Sequence, residues 1–171
     1  MIIHRFLIMI PFIASLTAGC SNPFAPGLDT SAEESLSILG DQRTIEGVFR
    51  NFQYAYTFKD STIYGQLLDP NFAFVYRDYD NGIDVSWGRD EDMRTTFGLF
   101  MNAQNLDLTW NNTVSFSGDS LTANVTRSFS MNVTFNPNDI IRVNGYANFT
   151  VARPSQQSIW KIVRWRDESN F

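Results

Sequence analysis

The sequence predicts an α+β domain, and three observations carry that prediction. Between Ile45 and Tyr56 the apolar residues recur at spacings of three and four, which marks one buried face of a helix. From Phe72 onward the period changes to two, the signature of strands. Along residues 121–135, Leu121, Ala123, Val125, Phe129, Met131, Val133 and Phe135 take every second position except that of Arg127, while Thr122, Asn124, Thr126, Ser128, Ser130, Asn132 and Thr134 fill the gaps. A strand so patterned buries one face and leaves the other in water.

The chain opens on MIIHRFLIMIPFIASLTAGC, with His4 and Arg5 ahead of an apolar run from Phe6 to Leu16 and small residues before Cys20. That layout is a secretory signal, and the run is shorter than the ~20 residues of a spanning helix. Leu16-Thr17-Ala18-Gly19-Cys20 resembles the lipobox of bacterial lipoproteins, with Thr17 where leucine is commonest. The resemblance implies cleavage after residue 19 and acylation of Cys20, and Ser21 suits outer-membrane sorting in a cell with two membranes. Several acyl chains on one residue hold a protein to a membrane where one chain is marginal. Residues 20–43, rich in Pro, Ser, Gly and acids, read as a flexible tether, and residues 44–171 as the domain.

Within the domain Thr44 is an expected N-cap for the first helix, and Asp60 for a short second one ending at Leu67-Leu68. Phe72, Phe74 and Tyr76 then alternate with polar or smaller neighbours up to Asn81-Gly82, with Ile83, Val85 and Trp87 beyond, which predicts a hairpin with a two-residue turn. A third helix is expected from Asp90 to about Ala103, burying Met93, Phe97, Phe100 and Met101. Leu106, Leu108, Trp110, Val114 and Phe116 begin an antiparallel sheet that continues through residues 121–135, 140–152 and 158–168. On the last strand, period two puts Trp160, Ile162, Arg164 and Arg166 on one face and Lys161, Val163 and Trp165 on the other, so Trp165 offers an outer-face contact for a homodimer or partner.

The order of these elements over residues 44–168, with Leu67-Leu68-Asp69-Pro70-Asn71-Phe72, Trp87-Gly88-Arg89 and Ile159-Trp160-Lys161-Ile162-Val163 as local signs, resembles the nuclear transport factor 2-like superfamily of ketosteroid isomerases, scytalone dehydratases and polyketide cyclases. The resemblance implies a cystatin-like cone, a curved and mainly antiparallel sheet wrapped around the N-terminal helices with an apolar pocket at its open end. Residues expected at that pocket are Phe52, Tyr56, Tyr76, Trp110, Arg127, Phe129 and Trp160. By analogy with the isomerases, Tyr54 or Tyr56 would be the oxyanion donor and Asp78 the base, with no inward-facing counterpart for a second acid from a late strand. Arg127, in phase with apolar neighbours, is either a pocket cation for an anionic or carbonyl group, a structural ion pair, or a bulged residue turned outward.

Composition excludes several chemistries. The formal net charge is −5, and loss of residues 1–19 removes Arg5 and the only histidine, His4, which argues against nucleic acid as a partner and against histidine-dependent triads or metal clusters. Asp78-Tyr79-Asp80-Asn81-Gly82 has its glycine one place early for a calcium loop and no closing glutamate. No cofactor is called for. The expected function is binding of a small apolar ligand or a protein partner by an exported, lipid-anchored domain. The alternatives are an isomerase or cyclase, or a structural domain with a filled pocket. Replacing Cys20 with serine is expected to move the chain from the membrane to the soluble fraction; an N-terminal peptide carrying unmodified Cys20 in the wild-type protein would overturn the anchor.

Overall fold

The computed structural model describes residues 38–169, so the expected signal, Cys20 and the expected tether up to residue 37 lie outside the described residues. Helix α1 runs Ile45–Thr57, α2 Ser61–Leu67 and α3 Arg89–Asn102; the strands are β1 Leu68–Asp78, β2 Ile83–Gly88, β3 Asn105–Gly118, β4 Thr122–Asn136, β5 Asp139–Ala152 and β6 Lys161–Ser169. The expected caps form: Thr44 Oγ1 accepts from Gly47 N at 2.9 Å, and Asp60 Oδ1 from the Thr62 and Ile63 amides at 2.9 and 3.0 Å. Residues ahead of Thr44 are docked rather than loose. Gly40 exchanges hydrogen bonds with the buried Asn51 side chain, and Gln42 with the backbone of Trp160.

The six strands form one sheet in the order β2-β1-β6-β5-β4-β3. All neighbours are antiparallel except β1 and β6, which pair in parallel and bring the two ends of the domain together. Twist curls a sheet of long strands, and irregular pairing sharpens the bend. Register shifts fall at Trp110/Thr113 and Thr113/Ser115 on β3 and where β6 meets both its neighbours. The sheet stays unclosed and wraps α1 on its concave side.

The shift on β6 corrects the expected phase of that strand. Val151 is opposite Ile162 while Thr150 is opposite Arg164, so Val163 is an extra residue in the ladder. Ile162 and Trp165 therefore both face inward, and Trp165 meets Phe52, Phe74 and Phe149 edge to face at 5.4, 4.9 and 5.6 Å. The outer-face contact drawn from Trp165 loses its main ring.

Two further expectations are corrected. The hairpin connection has four residues, 79–82, with Asp78 Oδ1 accepting from the Asn81 amide at 3.0 Å and only Gly82 at positive φ. Helix α3 buries Asp92, Thr96 and Phe100, one residue per turn, and leaves Phe97 and Met101 about half or more exposed. The apolar pattern of α3 misled because its buried stripe includes two polar residues.

The core is aromatic. Phe49 stacks on Phe149 at 5.1 Å and meets Trp110 at 4.9 Å, and Phe52 touches Tyr56, Tyr64, Trp110 and Phe149 within 5.6 Å. Offset and edge-to-face pairs of this kind add to the area they bury. Phe149, in contact with both α1 rings, joins the sheet to the helix. Phe149→Ala is expected to lower the unfolding free energy by about 3–5 kcal/mol, seen as a lower urea midpoint with little change in m.

Candidate functional site

Beyond the rings of α1 the concave side is not filled. A cavity of about 310 Å³ remains, walled by Phe52 and Tyr56 of α1, Phe74 of β1, Trp87 of β2, Leu99 of α3, and inward residues of β3 to β6 that include Trp110, Phe129, Val143 and Trp165. Its size is at the small end for ligand pockets. The polar groups on its wall are few: Asp92, Thr95 and Thr96 from α3, Asp167 and Ser169 from β6, and the Tyr56 hydroxyl. No arginine, lysine or histidine is among the described residues lining it.

The two carboxyl groups differ in how they are held. Asp92 is saturated: Tyr64 donates its hydroxyl to Oδ2 at 2.6 Å and Trp87 donates Nε1–H to Oδ1 at 3.0 Å. Tyr56 extends this network through hydrogen bonds with Thr96 and Tyr64. Burial raises the Asp92 carboxyl above its ordinary pKa, against the lowering effect of both donors. Burial, helped by the charge of Asp92, also pushes the Tyr56 phenol up; Tyr64 rises through burial and the charges of Tyr56 and Asp92. Both phenols therefore stay protonated and act as donors.

Asp167 is open by comparison. Its Oδ2 accepts from Ser169 Oγ at 2.7 Å, but Oδ1 is buried and has no hydrogen-bond partner. Only 7% of the residue is exposed. Burial lifts its pKa as well, with hydrogen bonds from Ser169 and Glu168 pulling the other way. Two residues earlier on the same face, Trp165 Nε1 is also buried without an acceptor. Buried polar atoms left unpaired are rare and costly; Arg127 Nε, at the other end of α1, is a third among the described residues.

The pocket residues expected from the sequence divide. Phe52, Tyr56, Trp110 and Phe129 line the cavity. Tyr76 lies beside it, half-buried against Trp87 and Phe74, in a smaller depression shared with Asp167. Arg127 is turned to the other end of the helix, where its guanidinium pairs with Glu46 at 3.0 Å and lies over the Phe49 ring at 4.9 Å. It is a structural ion pair and not a pocket cation, because Glu46 in the first turn of α1 supplies its counter-charge. Trp160 is buried in the approach to β6 beneath Arg153, outside the cavity wall.

The proposed phenol and carboxylate pair does not assemble. Asp78 is at the exposed hairpin tip, its pKa lowered by hydrogen bonds from the Asn81 side chain and backbone. Tyr54 packs against Phe58 on the flank of α1, apart from the cavity. A buried acid does stand on the last strand, Asp167, turned inward by the extra residue at Val163. Asp92 was missed because an apolar-face reading of α3 assigns aspartate to solvent. Among the described residues no group of three or more His, Cys, Asp or Glu is placed to hold a metal ion.

Helices packed in the hollow of one bent sheet, around a cavity at its wide end, define an α+β cone with a pocket. The fold is nuclear transport factor 2-like, of the cystatin-like type. It is similar to a protein from Novosphingobium aromaticivorans provisionally named a scytalone dehydratase, with TM-score 0.64, 15% identity and coverage of 82% of this chain and 89% of that one. A provisionally named dehydratase of the NTF2-like family from Streptomyces avermitilis matches with TM-score 0.59, 16% identity and coverage of 74% and 94%. An uncharacterized protein with a cystatin-like fold from Caulobacter vibrioides gives 0.58, 9%, 74% and 87%. No family model and no curated protein matches the chain. At these identities the likeness is one of fold.

The raised carboxyl pKa values set a pH dependence. A group whose folded pKa lies above its unfolded value gives a contribution to stability that is full below the unfolded pKa and is lost as pH rises through the folded one. Asp167→Asn removes that loss while keeping an acceptor for Ser169 Oγ. The variant is expected to melt above the wild type at neutral pH, with the gap closing as pH falls below about 4, the unfolded aspartate value. Parallel melting curves across this range would contradict the assignment.

Proposed function

We propose that this protein is an envelope-anchored binding domain that takes one small, predominantly apolar molecule into the wide end of its cone. The single observation behind this reading is the preformed cavity: aromatic and aliphatic walls, few polar groups, and buried polar atoms with no partner of their own. Apolar pockets with a few convergent polar groups are the usual form of small-molecule sites. The filled-pocket alternative finds no support in side chains that stop short of one another across about 310 Å³. The anchoring half of the proposal rests on the lipobox-like residues ending at Cys20, and it explains why a binding domain would be held at a membrane.

Naphthalene is a suitable first probe, being apolar, neutral and compact. Saturable one-to-one binding to the full chain is expected by calorimetry. Leu99→Trp places a larger ring into the cavity from α3 and is expected to weaken that binding about tenfold or more, without lowering the melting temperature. Absence of saturable binding to the wild-type chain would remove the proposal.

A further inference from the structure

We propose that the pocket selects an organic cation, a small amine whose ammonium end meets the Asp167 carboxylate while its apolar body lies against the aromatic walls. This rests on the binding reading above and adds the charge of the ligand to it.

The first support is charge balance. Two carboxyl groups, Asp92 and Asp167, line an apolar cavity that has no basic residue among its described lining. Several basic side chains elsewhere in the domain are engaged: Arg127 with Glu46, Arg166 with Asp84 and Glu168, Arg77 with Asp84, Arg89 with the Gly65 carbonyl and Lys59 with that of Ala103. A buried carboxylate without a countercharge is costly, and an incoming cation supplies what the chain does not.

The second is the difference between the two acids. Asp92 has a neutral donor on each of its oxygens. Asp167 lines the cavity and is only 7% exposed; its Oδ2 accepts from Ser169 Oγ, and its Oδ1 is buried without a hydrogen-bond partner. What it lacks is a donor, and a charged donor forms the stronger bond to a carboxylate.

The third is the wall itself. Trp87, Trp110, Trp165, Tyr56, Phe52 and Phe74 surround the space, and the faces of such rings attract cations, most of all when water is excluded. A neutral alcohol would supply a donor but leave the acids without countercharge, and a carboxylate ligand would add a third acid. Burial favours the neutral form of Asp167 in the empty pocket, and a cation at its carboxylate reverses that preference. The unpaired Trp165 Nε1 can take an acceptor on the same ligand and does not alter the choice of charge.

Three probes on one skeleton test the proposal by calorimetry with the full chain at neutral pH: 2-naphthylmethylammonium, 2-naphthylmethanol and 2-naphthoate. The ammonium is expected to bind about tenfold or more tightly than the alcohol, with naphthoate weakest. Asp167→Asn should abolish the advantage of the ammonium over the alcohol. An alcohol that binds as tightly as the ammonium to the wild-type chain overturns the charge selection and leaves the binding reading standing. An ammonium advantage that survives Asp167→Asn overturns the assignment to Asp167. Failure of all three probes to bind overturns both readings, and the wild-type comparison requires no variant to fold.

Discussion

The structure depends on the aromatic contact between one face of α1 and the middle of the sheet. Phe49 and Phe52 reach Trp110 and Phe149, and every other relation in the cone follows from where those rings stop. They fill the narrow end, where β3, β4 and β5 cross the helix, and Trp110 is fixed there by its Nε1–H bond to the Phe49 carbonyl at 2.9 Å. Past Tyr56 the helix ends at Thr57. A bent sheet opposite a helix only 13 residues long leaves unfilled volume at its wide end unless other elements enter it, and α3 enters only partly. The cavity is thus a consequence of curvature and helix length together.

That volume is bordered by polar groups of two kinds. The cluster of Tyr56, Tyr64, Trp87, Asp92 and Thr96 is closed on itself and ties α1, α2, β2 and α3 into one rim. Because each member has a partner, the cluster acts as a brace, and its phenols remain protonated. Asp167 and Trp165 belong to the opposite wall and keep unpaired atoms. The same cavity therefore has a satisfied side that holds shape and an unsatisfied side that holds potential for recognition. Arg127 shows the contrast from the same sheet: its charge is answered by Glu46 within the chain, so it stabilises the narrow end and contributes nothing to the pocket.

The fold was legible in the sequence to the extent that its periodicity was unbroken. The α1 face, the alternation along β4 and the caps at Thr44 and Asp60 are local patterns, and local chemistry was enough to place them. The site was legible only where it is apolar, at Phe52, Tyr56, Trp110 and Phe129. Its polar members were hidden for two physical reasons. One extra residue at Val163 inverts the phase of everything after it, so Trp165 and Asp167 were read as facing the wrong way or not assigned at all. On α3, aspartate and threonine occupy the buried stripe because partners from α1, α2 and β2 satisfy them, and none of those partners is near in sequence. Asp78 failed in the opposite sense, since a hairpin tip is recognised by its turn chemistry and that chemistry consumes the carboxylate locally.

The unpaired wall also bears on why the cavity persists. A void on this scale forfeits packing contacts, and filling it with larger side chains is a short evolutionary path to greater stability. Two buried acids with raised pKa values add a second cost at neutral pH. For Asp92 that cost is offset by a network that joins four elements. For Asp167 the chain supplies only near neighbours on its own strand, the Ser169 hydroxyl and the backbone of Glu168 and Ser169, and no network that joins other elements. The proposed occupant would offset both costs at once, since it fills the cavity and supplies the partner that the buried carboxyl lacks.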